Sequence, residues 1–530
     1  MKKLSFLMIA ALVMAACSNN DELLNNENLN GKVTVTATLP SDAPDSRVAL
    51  TEDNTNAAAP AIKVAWKTEE SFSVIRGSEN KTFSKNVEGS TFTGDAHTVT
   101  DGTYYAFYPT TEATATNAIP YDLSQQTGTL DEAKTYMYAK NGTDGKNYEF
   151  NHLTALVKFT LTLPDEASGV TPSKVVISSD ELLAKSTVDL TGENVVYSTE
   201  ANTATSITVT PASLTFYAYV NPMTASGEDK NKFVISMDGN DGNYYSGTLE
   251  TSVSINANYL YATTVSMVKV EKGDFAMADG SFIKYDAGVT LTTEQKANVR
   301  GIVFWTTAET TTEGRTTPAS LKDDKIMQAD FPNCTHGLIV SLKHVSTNTE
   351  WQEVYPYVNI ASWQSSNTTY TPSSTDYKSV GSSTNATDPI NYILGYQNTN
   401  ILKAYNAQCD EESKMVPVSL LDTWKVTNPA PANTTGWFIP SEKELTLLCG
   451  TDVDNVYNNN SGGADTKTAM NTILGSLGTD YAETFVDYYY WSSSEKYDAI
   501  RAYVVSFVSG MVDAAEKRST NYYVRAVCAY

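Results

Sequence analysis

From Lys32 to Leu39 the chain reads Lys-Val-Thr-Val-Thr-Ala-Thr-Leu. Strict alternation of apolar and polar residues is satisfied by an extended strand that buries one face, and by little else. Pro40, Asp42, Pro44 and Asp45 end it. Strand-like runs recur at 62–66, 71–76, 103–108 and 155–163, separated by clusters of Gly, Asn, Asp and Pro. A second set lies at 174–178, 206–210, 214–220, 232–237 and 259–267. Many short strands with turn signals between them predict an open β-sandwich over 32–164 and a second sandwich over 165–268. The 32 tyrosines, with abundant Thr and Ser, suit sheets wetted on one face.

Residues 269–530 change character. They hold more Trp and all the cysteines after Cys17, and two helices stand out. Ser441-Glu442-Lys443-Glu444 has the spacing of a capping box, with Leu445, Leu447 and Leu448 behind it. Met470, Ile473, Leu474 and Leu477 give a second helix, over about 465–477, one apolar face. Strands are expected at 502–508 and 522–529, making this region an α+β domain. A chain of 530 residues has room for three or four domains.

The first residues bear on location. Met1-Lys2-Lys3 is basic, Leu4 to Ala16 is mostly apolar, and Ala15-Ala16 precedes Cys17. This is a secretory signal (1–16) ending at a lipobox, with Met14 where Leu or Val is usual and Cys17 as the lipidated residue. The apolar run is too short to span a bilayer. Acyl chains on Cys17 would each add about 0.8 kcal/mol per buried methylene, so the expected membrane contact is through this lipid alone. Residues 17–31 read as a polar tether; Asp21 and Glu22 resemble the surface-export signal of bacteroidete lipoproteins, with a plain solvated linker as the alternative.

The charge excludes one class of partner. Lys plus Arg number 37 against 61 Asp plus Glu, a formal charge of -24, which repels nucleic acid. Cys334, Cys409, Cys449 and Cys528 fit no zinc pattern, and four His are scattered through the chain, so no metal site or cofactor is expected. Their pairing stays open between a Cys449–Cys528 disulfide and unpaired buried thiols. No Ser/His/Asp set or clustered His/carboxylate site appears, so no catalytic residue is assigned and no enzyme is expected.

Several short motifs carry a resemblance. Val64-Ala65-Trp66, Tyr104-Tyr105-Ala106-Phe107-Tyr108-Pro109, Phe150-Asn151-His152-Leu153-Thr154-Ala155-Leu156-Val157-Lys158-Phe159 and Tyr219-Val220-Asn221-Pro222 follow the lipobox in order. Together they make residues 17–267 resemble a fimbrillin, the two-domain pilin of type V pili in bacteroidete bacteria. The resemblance implies two tandem transthyretin-like sandwiches and a mainly β protein. It also implies a lipoprotein precursor at the outer membrane, later part of a surface fimbrium. An arginine-specific protease would cut between Arg47 and Val48, and other pilin subunits would bind by donor-strand insertion. Arg47 is the first Arg after Cys17, follows the Pro/Asp turn and precedes Val48-Ala49-Leu50.

The last region resembles a C-type-lectin-like fold shared with sulfatase-modifying enzymes. Its marks are Gly273-Asp274-Phe275, Gly436-Trp437-Phe438-Ile439-Pro440-Ser441 and Tyr490-Trp491-Ser492-Ser493-Ser494-Glu495, with Tyr523-Val524-Arg525-Ala526-Val527 near the end. That likeness implies an adhesin head over 269–530 for a host glycan or protein, with Trp437 and Trp491 as ligand-binding candidates against a core role. Glu442, Glu444, Glu495 and Asp498 are acidic enough to suggest calcium, but no loop has its oxygen-ligand spacing. A long donor tail is not seen, which favours a tip pilin. The alternatives are a non-polymerising surface lipoprotein that binds glycans, or a pilus anchor.

Overall fold

The computed structural model describes residues 31–530 except 40–50, 54–60, 64–65, 68, 87–89, 101, 131–133, 142–143, 226–229, 289, 309–318, 354, 356, 373–375, 383–388, 451–455 and 458–463. The chain forms two compact units. The first comprises residues up to 240 with 247–267, and the second comprises 241–246 with 268–530. The fold is mainly β.

In the first unit the alternation at 32–39 gives the expected strand, Lys32–Thr38, inside an eight-stranded sheet. The sheet runs 147–149, 32–38, 91–95, 79–85, 71–76, 104–108, 137–141, 151–152. Residues from both ends of that order share one core. Val35, Ala37 and Phe92 meet Ala106, Met137 and Ala139 around Trp66, Phe72 and Phe150. The run expected at 62–66 is a shorter strand, Ala61–Lys63, with Trp66 beyond it.

The 155–163 run forms the strand Ala155–Thr162, which bonds antiparallel to 215–220 and parallel to 260–266. A segment with no strand signal in the sequence reading, 119–126, ties the unit together. Ile119–Asp122 pairs with Lys185–Asp189, and Gln125–Gln126 pairs with 208–209. Ile119, Tyr121 and Leu123 are buried at alternate positions. Buried Gln126 acts as a stretch of backbone: its Nε2 donates to the Tyr219 carbonyl at 2.8 Å and its Oε1 accepts from the Tyr219 amide at 2.8 Å.

The second unit is α+β. Its long sheet runs 282–283, 275–277, 299–306, 337–349, 522–529, 489–496, 501–506, 512–516, with 381–382 beside 489–496. Period-two alternation feeds two cores. Ile302, Phe304, Val527 and Ala529 face the helices Glu442–Cys449 and Asp465–Leu477. Val303, Ala526 and Cys528 belong to the other core, with the helices Gly395–Asn406 and Val416–Trp424. The capping box forms at Ser441, whose amide donates to Glu444 Oε2, and Gly450 ends that helix at φ 99°. A Cβ on Gly450 would lie 2.8 Å from the amide nitrogen of Thr466, so both shape and conformation call for glycine. The second helix buries Met470, Ile473, Leu474 and Leu477, as its periodicity predicts.

A buried ion pair braces this unit. Lys517 and Glu495 are fully enclosed and bonded to each other. The Glu495 carboxylate also accepts from the amides of Ile360 and Ala361 at 3.0 and 2.9 Å, and Lys517 donates to the Val358 carbonyl at 2.7 Å. Removing one partner strands a charge in a dry site. Lys517→Met is expected to cost about 3–5 kcal/mol in urea unfolding, and adding Glu495→Gln should recover much of that loss. A single mutant as stable as the wild type would contradict this account.

Candidate functional site

The slot that holds residues 32–39 is the best-defined candidate site of the first unit. On one side the strand pairs antiparallel with 91–95, from Lys32–Asp95 to Thr36–Thr91. On the other side the pairing is parallel and covers only Thr36–Thr38, against 147–149. The outer edge of residues 32–35 thus has no strand beside it among the described residues. Inward-facing Val35, Ala37 and Leu39 are buried, while Lys32 and Thr34 are exposed.

An aromatic nest forms the floor. Trp66 stands edge-on to Phe92, Tyr108 and Phe150, with ring centroids 5.0, 5.4 and 5.3 Å away. Its indole N–H donates to the Ala37 carbonyl at 2.9 Å, inside the core. The nest thus touches the strand through a directed bond as well as by packing. Opposite Val33 lies Gly94, where a Cβ would sit 2.8 Å from the Phe83 ring. At the far end the Phe150 amide donates to the Thr38 carbonyl at 2.9 Å.

Burying Val35 and Leu39 contributes about 1.5–3 kcal/mol each, and each main-chain bond a net of about 0.5–1.5 kcal/mol. Emptying the slot would place apolar pockets and unpaired amides in water at once, which is a strong drive to refill it with another strand. The alternation at 32–39 and the Trp66 motif mark this strand in the sequence. The Trp66–Ala37 bond and the partner strand at 147–149 have no such mark beyond the buried alternation of Tyr148 and Phe150 in Asn-Tyr-Glu-Phe.

Cys17, Arg47 and Val48 lie outside the described residues. In the second unit the two tryptophans proposed for ligand binding serve mainly as core. Trp491 is fully buried, and its indole N–H is spent on the Thr349 carbonyl at 2.9 Å. Trp437 is 7% exposed and donates to the Asn428 carbonyl at 2.9 Å, so it offers an edge but no stacking face. The Cys449–Cys528 pair does not form: all four cysteines are free thiols, three of them buried. Burial raises the thiols of Cys449 and Cys528 far above the ordinary range.

The acidic residues weighed for calcium have other partners or surroundings. Glu495 pairs with Lys517, and Asp498 accepts from Arg501 Nε at 2.7 Å. Glu442 and Glu444 are completely buried. Burial pushes Glu442 up to about 7 and Glu444 up to about 8. Among the described residues no group of His, Cys, Asp and Glu has an arrangement suited to a metal ion.

Residues 46–279 match the model of the Fimbrillin-like (Mfa-like) family, to which this region is similar. Over 246 residues the chain is 27% identical to a Bacteroides ovatus protein whose name proposes a fimbrium tip subunit, Fim1C. The match covers 45% of this chain and 41% of that relative, so the chain spans less than half of the relative's length. A fimbrial protein of Bacteroides ovatus superposes with a TM-score of 0.42 at 18% identity, over 94% of this chain and 99% of its own. The C-terminally truncated tip fimbrial protein Mfa3 of Porphyromonas gingivalis gives a TM-score of 0.20 at 8% identity, over 37% and 89%.

Two outcomes are expected. Ala37→Leu adds volume where the strand backbone meets Trp66, and should lower stability in urea unfolding by about 1–3 kcal/mol; an unchanged midpoint would mean a loose slot. Glu442 and Glu444 hold protons in the folded state that the unfolded chain releases near 4.5. Their contribution is therefore fullest below about pH 4.5 and is lost as pH rises through about 7 and about 8. Glu444→Gln should reduce the fall in Tm between about pH 5 and about pH 8 by roughly 3 °C or more; parallel curves for variant and wild type would refute the assignment.

Proposed function

We propose that this chain, with its fimbrillin-like region at 46–279, is a surface fimbrial subunit that receives a foreign strand in the slot filled by residues 32–39. It is exported as a lipoprotein through Cys17, processed between Arg47 and Val48, and released from its lipid by that cut. The 32–39 strand occupies the slot until processing, and a strand from a neighbouring pilin then replaces it. The observation that carries this reading is the slot itself. Its occupant is joined to the rest by main-chain bonds and three buried apolar side chains, and the proposed cut after Arg47 lies eight residues beyond Leu39.

A tip position with an adhesive head over 269–530 is the favoured placement. Two observations support it. The strand 522–529 is bonded to 337–349 on one side and to 489–496 on the other, so it belongs to the sheet of the proposed head. The name of the Bacteroides ovatus relative points the same way.

Mass spectrometry of the mature N-terminus tests the reading. A terminus at Val48 on surface-assembled protein is expected, together with retention of full-length acylated protein in the outer membrane for Arg47→Ala. Acylated Cys17 on every assembled molecule would instead favour an anchor or a non-polymerising lipoprotein. Antibody labelling along the whole shaft would remove the tip placement.

A further inference from the structure

We propose that a cleft in the second unit binds the carboxylate of an acidic sugar. The cleft has a volume of about 330 Å³ and is lined by Lys296, Arg300, Lys343, Trp424, Trp437 and Tyr481 among others. Three cations in one small cleft are notable in a chain of formal charge -24, and Asp480 is the one acid in the lining. All three cations are half-buried, and the hydrogen bonds they make run to backbone carbonyls.

Their internal bonds hold them in place without neutralising them. Lys296 Nζ donates to the Ser476 carbonyl at 3.2 Å, and Lys343 Nζ to the Asp480 carbonyl at 3.3 Å. Arg300 Nη1 donates to the Ala297 and Val299 carbonyls at 2.8 and 3.2 Å. Carbonyl oxygens position a cation but leave its charge uncompensated, so donors remain available for an anion. Each cation comes from a different element: the helix Thr293–Asn298, the strand Val299–Thr306 and the strand Gly337–Thr349. Lys296 and Arg300 lie four residues apart where the helix gives way to the strand, and the pairing of 299–306 with 337–349 brings Lys343 to them.

The remaining lining selects the body of the ligand. Trp424 is half-buried at the end of its helix and stands 6.2 Å from Trp437 in an edge-on pair. Asn428 is fixed between them, donating to the Trp424 carbonyl at 3.0 Å and accepting from the Trp437 indole. Aromatic carbon beside fixed amides and cations suits a sugar ring that carries hydroxyls and one acid group. A polyanion or an anionic membrane would also meet the repulsion of a chain whose formal charge is -24. A cleft of this size holds one small ligand group. The inference does not rest on strand exchange and stands or falls separately from it.

The test uses the full chain, titrated with N-acetylneuraminic acid and glucuronic acid, each beside its neutral methyl ester, by tryptophan fluorescence and saturation-transfer NMR. At least one acid is expected to bind with a Kd on the order of 1 mM. Its ester should bind at least about tenfold more weakly, as loss of charge-assisted bonds requires. Arg300→Gln and Lys343→Gln should each weaken the acid about tenfold with Tm unchanged. The acid–ester comparison on the wild type decides the matter even where a variant fails to fold. Equal binding of acid and ester, no binding of either acid at about 10 mM, or equally tight binding of inorganic sulfate would overturn the proposal.

Discussion

A protein built mostly of short strands must give each strand edge a partner, because an unpaired amide kept from water costs as much as the bond it lacks. Much of the architecture follows from this demand. Residues 119–126 pair with 185–189 and 208–209. At the free side of the edge strand 215–220, among the described residues, the Gln126 side chain fills both main-chain groups of Tyr219. Trp66 does the same for the Ala37 carbonyl. The slot around 32–39 expresses the rule in its most functional form. Its strand is held by main-chain bonds to its neighbours and by alternate buried side chains, the two features that the proposed exchange would reuse.

Local order was readable from local sequence. The strands at 71–76 and 522–529 appear where alternation and turn residues place them, and the helix at 465–477 buries the four residues its periodicity marks. The capping box at Ser441 forms as its four-residue spacing requires. Periodicity says which side of a strand is buried, but not which strand lies next to it. The parallel contact of 36–38 with 147–149 depends on residues more than a hundred positions apart, and no short pattern encodes it. The same limit applied to side chains with two readings. Trp491 is enclosed with its indole nitrogen bonded to the Thr349 carbonyl, whereas Trp437, bonded to the Asn428 carbonyl, keeps an edge on the cleft that Lys296 and Arg300 line. The thiols of Cys449 and Cys528 likewise fill core positions instead of pairing.

The two units handle buried charge differently. The first keeps its core aromatic and places ion pairs such as Lys32–Asp95 in water, where such pairs contribute little. The second encloses Lys517 with Glu495, and buries Arg525 against the carbonyls of Ser341 and Leu342 at 3.0 and 2.8 Å. These groups fix where loops and helix starts meet the sheet. The cost is a sensitivity to single substitutions that an apolar core would not have.

The strand order of the second unit has a mechanical consequence. The chain enters that unit's sheet near 275–277, which is bonded to 299–306, and 299–306 is bonded to 337–349. Arg300 and Lys343 stand on these last two strands. Traction applied at that cleft therefore reaches the chain's entry point through two adjacent antiparallel ladders. The other half of the sheet, from 489 to 516, lies off that line of force and need not bear the load.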